Sequence, residues 1–405
     1  MADLIRIIRD GVTKLIPAAS LGGSTTQKPS NSLGAVVGLG PRISTGQGAS
    51  NTRALSYVTY RAAAPISRPR VLHSNWYLSP TNFNEINASA AASYNNWIEY
   101  PIGAAGALYG PFAGAAEPGA DVVIDCGPVE IPRGASFRVW TEINGPLALS
   151  TQMRHPNPSP SIGCAMQFGA PPPNPTAPGQ SLPTPFNGLG YFPAVLDDTT
   201  YRSVLLVGDS HESGLGDTLT IGNAFGPFER FYGDLVPMMQ LSVQGDTLSA
   251  QLRAGNFVRR QRVMQYFSDI NIGAGGGDIS NGDTAATIIA NLRAVCAMVP
   301  AGKKRFTTTE FPKTSSTDSF ATVANQAVTA NEATRLELNL FKRTLGATAT
   351  QPALFDYYHD FERIVGVFNG NTSAIVWPAN GTTDGVHGNE LSYAPFGRVT
   401  GARFF

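Results

Sequence analysis

Gly208-Asp209-Ser210-His211 follows directly on the apolar run Val204-Leu205-Leu206-Val207, and Asp384-Gly385-Val386-His387 stands near the other end of the sequence. A serine hydroxyl is a weak nucleophile at neutral pH unless a base lies beside it and a third group orients that base. A Ser at the end of a buried strand, together with a late Asp-x-x-His, supplies the three groups of an acyl-transfer triad. The expected catalytic residues are therefore Ser210, Asp384 and His387.

Strands and helices have to bring these blocks together. From about residue 198 the pattern alternates between them. Strands are expected at 203–207, 239–243, 263–268, 304–309 and 353–358. Helices are expected through Phe228–Phe231 and over 247–260, 284–298 and 323–345. Such alternation predicts a parallel sheet covered on both faces, with its active site at the carboxyl ends of the strands. Ser210 and Gly245 each fall just past an expected strand end. Glu212 stands two residues after the serine, where the nucleophile elbow of an α/β-hydrolase needs Gly, which excludes that elbow.

The blocks resemble instead those of the SGNH, or GDSL-type, hydrolase family, over roughly 200–390, about half of the chain. The resemblance implies a flavodoxin-like α/β domain in which Ser210 attacks an ester, His387 takes its proton and Asp384 orients His387. It also implies an oxyanion hole. The Ser210 N–H is one donor, and Gly245, in Val243-Gln244-Gly245-Asp246-Thr247, supplies the second, with Gly233 in reserve. Asn271, in Asp269-Ile270-Asn271-Ile272, is the side-chain donor. The family's Gly-x-Asn-Asp block is imperfect here, because Asp269 replaces its Gly and Ile272 its Asp. No metal or organic cofactor is implied. Asp209 is expected to fix the nucleophile turn through backbone N–H groups, and His211 to shape the pocket rim.

The remainder of the chain reads differently. Residues 3–16 put Leu4, Ile5, Ile8, Val12, Leu15 and Ile16 on one helical face, with Pro17 as a stop, suiting an anchor helix. Residues 18–54 are rich in Gly, Ser, Thr, Asn and Ala and predict an extended arm. Residues 55–197 carry short alternating runs between Gly/Pro turns, which predicts an antiparallel β-sandwich with a proline-rich excursion at 156–190. Domains are thus expected at 1–54, 55–197 and 198–405. Trp76, Trp97 and Trp140 suit a core first and a sugar-stacking face second. His73, His155 and His359 are expected to be structural.

Composition limits the partners. The 29 basic and 29 acidic residues cancel, which gives no electrostatic reason to expect nucleic acid. Only 14 % of residues are charged, against about 25 % in an average domain. The low charge, with 43 Gly and 30 Pro, suits an extracellular or virion protein. Three cysteines, Cys126, Cys164 and Cys296, make neither a disulfide framework nor a zinc site. No apolar run long enough for a membrane span is present, and the first residues make a poor secretory signal. These features lead to an esterase, most plausibly a carbohydrate O-deacetylase. It is expected to work as part of a phage particle on acylated host polysaccharide, as a homo-oligomer bound to other virion proteins through the N-terminal segment. The alternative is a structural virion or binding protein whose triad is vestigial.

Overall fold

The computed structural model describes residues 4–9, 12–17, 27–38, 53–79, 81–145, 152–153, 164–168, 175, 179, 182, 190–217, 226–233 and 236–399. Most of the proline-rich excursion, and His155, lie outside them.

The site-bearing half is a five-stranded parallel sheet in the order Met238–Gln240, Val204–Val207, Asp269–Ile272, Lys304–Thr308, Tyr357–His359. Its second strand shows why the sequence run was uniformly apolar. Leu205 and Val207 enter one core with Ile270 and Ile272, while Val204 and Leu206 enter another with Phe228, Phe306 and Trp377. A strand buried on both faces has no polar side to alternate with. Thr247 and Thr284 cap the helices Leu248–Gln251 and Ala285–Ala297 by accepting from Ala250 N–H and Thr287 N–H, as N-cap hydroxyls do.

The other half has two antiparallel sheets. One is four-stranded, ordered Asp121–Asp125, Arg70–Ser74, Ala194–Tyr201, Gln27–Ala35. The second is five-stranded, ordered Cys164–Phe168, Arg53–Arg61, Ser136–Asn144, Ala92–Glu99, Leu108–Ala116. Val71 and Val195 of the first meet Val58, Ile98, Phe137 and Val139 of the second in one core. The two halves of the chain also share apolar packing, since Leu72, Trp76, Leu78 and Leu196 join the cluster on the Leu205 face of the parallel sheet. No helix of the described residues is long and apolar enough to cross a membrane.

Several expectations are corrected. The helix expected over 3–16 gives way to two strands among its described residues. Leu4–Arg9 and Val12–Pro17 pair antiparallel, with Arg9 opposite Val12. The segment is rich in Ile and Val, which favour strands, and Asp10-Gly11 is a hairpin dipeptide. Part of the arm lies on its own chain. Gln27–Ala35 pairs with Ala194–Tyr201, and the Val37 carbonyl accepts from Met238 N–H at 3.1 Å. The expected strand at 263–268 is in fact the end of helix Val258–Met264 and the loop after it. Val263, Met264 and Phe267 are all buried, and a short apolar run does not distinguish a strand from a buried helical face. The true strand is Asp269–Ile272. The helix expected over 247–260 is two, broken near Gly255 and Phe257, which have φ of 78° and 71°. The helix expected over 323–345 is confined to Glu332–Arg343, and Gln326–Val328 before it pairs with Thr314–Ser316. All three tryptophans are core, at most 3 % exposed, and no sugar-stacking face is formed from them.

Candidate active site

Ser210 follows the Val204–Val207 strand in a succession of tight turns. Ser213 N–H donates to the Asp209 carbonyl, Gly214 N–H to His211 and Leu215 N–H to Ser210. Asp209 closes the turn as expected. Its Oδ1 accepts from His211 N–H at 3.0 Å and its Oδ2 from Gly277 N–H at 2.9 Å. Burial opposes charge on Asp209, but His211, these N–H donors and nearby Lys313 hold the carboxyl below its ordinary value.

The base approaches on a turn of its own. Asp384 Oδ1 accepts from Val386 N–H and His387 N–H, both at 2.8 Å, and its Oδ2 lies 2.6 Å from His387 Nδ1. Thr382 Oγ1 accepts from Gly385 N–H and donates to the His387 carbonyl. Gly385, at φ 78°, is required here, because a Cβ would lie 1.8 Å from the Thr314 carbonyl oxygen. His387 Nε2 lies 2.8 Å from Ser210 Oγ. With Nδ1–H donated to Asp384, Nε2 is left to accept the serine proton. Partial burial works against the charged form of Asp384. The His387 ring and two backbone N–H groups outweigh it and hold the carboxyl down at about 2. Asp384 therefore stays ionised throughout the range in which an imidazole titrates.

Structure adds residues that the sequence did not single out. The Glu212 carboxylate folds back beneath the nucleophile, where its Oε2 accepts from Asp209 N–H at 3.0 Å and its Oε1 from the Thr308 hydroxyl at 3.2 Å. Gly208 and Gly273 make room for it, since a Cβ on either would come within 2.3 Å and 2.1 Å of a Glu212 carboxylate oxygen. Burial and the charges of Asp209 and Glu310 raise Glu212 well above its ordinary value. His211 is buried, not on the rim. Its Nε2 lies 3.0 Å from the Val386 carbonyl, its ring centroid lies 5.5 Å from that of His387, and its edge meets Phe311. Burial pushes the His211 imidazole down, and its Nε2–H, donated to the Val386 carbonyl, ties the base turn to the nucleophile turn. The sequence signal for this crowding was the glycine run Gly275-Gly276-Gly277. A Cβ on Gly276 would fall 2.9 Å from His211 Nδ1 and 3.0 Å from Asp209 Oδ2.

The oxyanion donors divide. Gly245, at φ 82°, lies beside the nucleophile turn. Val243 N–H donates to the Gly208 carbonyl at 3.2 Å, and the next residue, Asp246, abuts Gly277. Gly233 ends the helix Gly226–Tyr232 and packs near nothing a Cβ would meet. Asn271 is not at the mouth of the site. It lies within the strand, in register with Leu206, and its buried amide has no hydrogen-bond partner. The shift of the strand from 263–268 to 269–272 moved it below the strand end. His359 is a structural neighbour, buried and 2.7 Å from the Tyr232 hydroxyl. His73 is likewise buried, between Tyr191 and Asn96. Cys126 and Cys296 are free and buried. Among the described residues no group of three or more His, Cys, Asp or Glu side chains is placed to hold a metal ion.

In order of parts and in geometry, the C-terminal half resembles an SGNH hydrolase. No protein-family model and no curated protein matches the sequence. Among solved structures, a member of the lipolytic G-D-S-L family from Veillonella parvula is similar, at 15 % identity and TM-score 0.33, covering 49 % of this chain and 94 % of that one. A carbohydrate acetylesterase family member from Sinorhizobium meliloti has 16 % identity and TM-score 0.33, with 49 % and 94 % covered. A family two carbohydrate esterase from Cellvibrio japonicus has 12 % identity and TM-score 0.31, with 91 % and 96 % covered.

Proposed function

We propose that this chain is a serine esterase. Its support is the hydrogen-bonded line from Ser210 Oγ through His387 to Asp384, assembled from residues far apart in sequence. Ser210 attacks the ester carbonyl as His387 Nε2 takes its proton. The tetrahedral oxyanion is held by the N–H groups of Ser210 and Gly245. His387 returns the proton to the leaving alcohol, and water activated by the same imidazole releases the acid.

For substrate, we take an acetyl ester on a carbohydrate. Gln244, Thr383 and Asp384 around the site are exposed and polar, and low charge suits a neutral polysaccharide. Work at a cell surface as part of a phage particle belongs to the same proposal, with composition as its support. The first test is hydrolysis of p-nitrophenyl acetate by the chain and by Ser210→Ala. The expected loss is at least about 10⁴-fold in kcat. Equal rates, with a Ser210 that ignores a fluorophosphonate probe, would sink the esterase.

A further inference from the structure

Gly245 is covered by a residue from the other half of the chain. A Cβ on Gly245 would lie 3.0 Å from Cζ and 3.4 Å from Cε1 of Phe83. Phe83 sits in the turn between the paired strands Trp76–Leu78 and Glu85–Asn87, and it is half-buried against the core of the parallel sheet. It holds φ at 60°, a left-handed conformation that an aromatic residue keeps only where its surroundings force it. Those surroundings are specific. Phe83 N–H donates to the Ser79 carbonyl, and Asn256 Nδ2 donates to the Phe83 carbonyl at 3.2 Å. Arg253 Nη1 donates to the Asn82 carbonyl at 2.7 Å. Glu85 N–H donates to Asn256 Oδ1, and the Glu85 carboxylate accepts from the N–H groups of Arg259 and Arg260. The turn is thus bolted to the helix Val258–Met264 and to the link that precedes it.

Sheet order fixes which part of a substrate would meet this ring. The strand leading to Gly245 lies on one side of the nucleophile strand. The base turn rests on the other side, where Thr314 N–H, past the fourth strand of the sheet, donates to the Gly385 carbonyl. The alcohol must leave on the side of His387, which protonates it. The oxyanion takes the Gly245 N–H itself, so the acyl group takes the remaining direction, away from His387 and on the side of the sheet that carries Gly245 and Phe83.

We propose that Phe83 determines acyl specificity, its ring closing the space beside the ester carbonyl to all but short acyl groups. This rests on Ser210 acting as an esterase nucleophile. The test is kcat/KM for p-nitrophenyl acetate, butyrate and octanoate with wild type, Ser210→Ala, Phe83→Ala and Phe83→Leu. Wild type is expected to prefer acetate. Phe83→Ala is expected to raise the butyrate-to-acetate ratio about tenfold or more, within the range that methylene-scale fit allows, and Phe83→Leu to raise it less. If Phe83→Ala fails to fold, the Leu variant decides. Ser210-dependent turnover with a ratio unchanged in the folded variants overturns the role of Phe83 alone. No Ser210-dependent turnover of any ester overturns the esterase and this proposal together.

Discussion

The nucleophile turn and the base turn meet at two hydrogen bonds, Ser210–His387 and His211–Val386, but are built in different ways. The Asp384–His387 turn is shaped mainly by local hydrogen bonds. Asp384 is half exposed, and its carboxylate is held by two N–H groups and a ring within three residues of it. The nucleophile turn adds to its own backbone hydrogen bonds contacts with residues from elsewhere. Its glycines exist to admit Glu212, its Asp209 is satisfied partly by Gly277, and its His211 reaches across to Val386. Short-range hydrogen bonds set the shape of the first turn, in which Gly385 is the position that admits no Cβ. Crowding makes the second sensitive to volume changes of a single methyl group.

The largest expected effect follows from that crowding. Gly208→Ala is expected to reduce kcat/KM by about 10²–10³ and to lower the melting temperature, since a Cβ would strike the Glu212 carboxyl and overpacking of this kind typically costs about 1–3 kcal/mol. Adding Glu212→Ala should recover much of the loss. Additive effects of the two substitutions, measured in a double-mutant cycle, would show that Glu212 is not what Gly208 makes room for.

A smaller effect tests the tie between the turns. His211→Phe keeps a ring against Phe311 but removes the donor to Val386. The expectation is a fall of about tenfold in kcat with KM little changed, equivalent to about 1.4 kcal/mol, and recovery in His211→Gln. A change in KM alone would place His211 in substrate binding instead.

The smallest effect concerns charge. Glu212 is raised above 4.5 in the folded chain. Between 4.5 and its folded value the unfolded chain has lost a proton that the folded chain keeps, so stability falls as pH rises. Its contribution is complete below 4.5 and is lost as pH passes the folded value. Glu212→Gln removes this titration and is expected to keep activity while flattening the decline of melting temperature as pH rises above 4.5. Parallel declines in the two proteins would mean that Glu212 is ionised in place.

How much was legible follows the same division. Ser210, Asp384 and His387 could be found from sequence because each lies in a short pattern whose geometry is local: a buried strand ending in a turn, and an Asp placed to orient a His three residues on. Asn271 misled, because its place depended on where a strand began, and Val263, Met264 and Phe267 read equally well as a strand or a helical face. The N-terminal segment misled in the same manner, an apolar pattern of helical period lying over strand-forming residues.

The sequence by itself determined the chemistry on offer: a nucleophile, a base and its orienting acid, each in a locally specified turn. Only the tertiary structure decided that Ser210 and His387 meet across 177 residues, that Glu212 lies buried beneath the nucleophile, and that Phe83 covers Gly245. The physical reason is range. Turn geometry is set by hydrogen bonds and steric limits a few residues apart, whereas burial, strand register and the approach of distant side chains are settled only when the whole core packs.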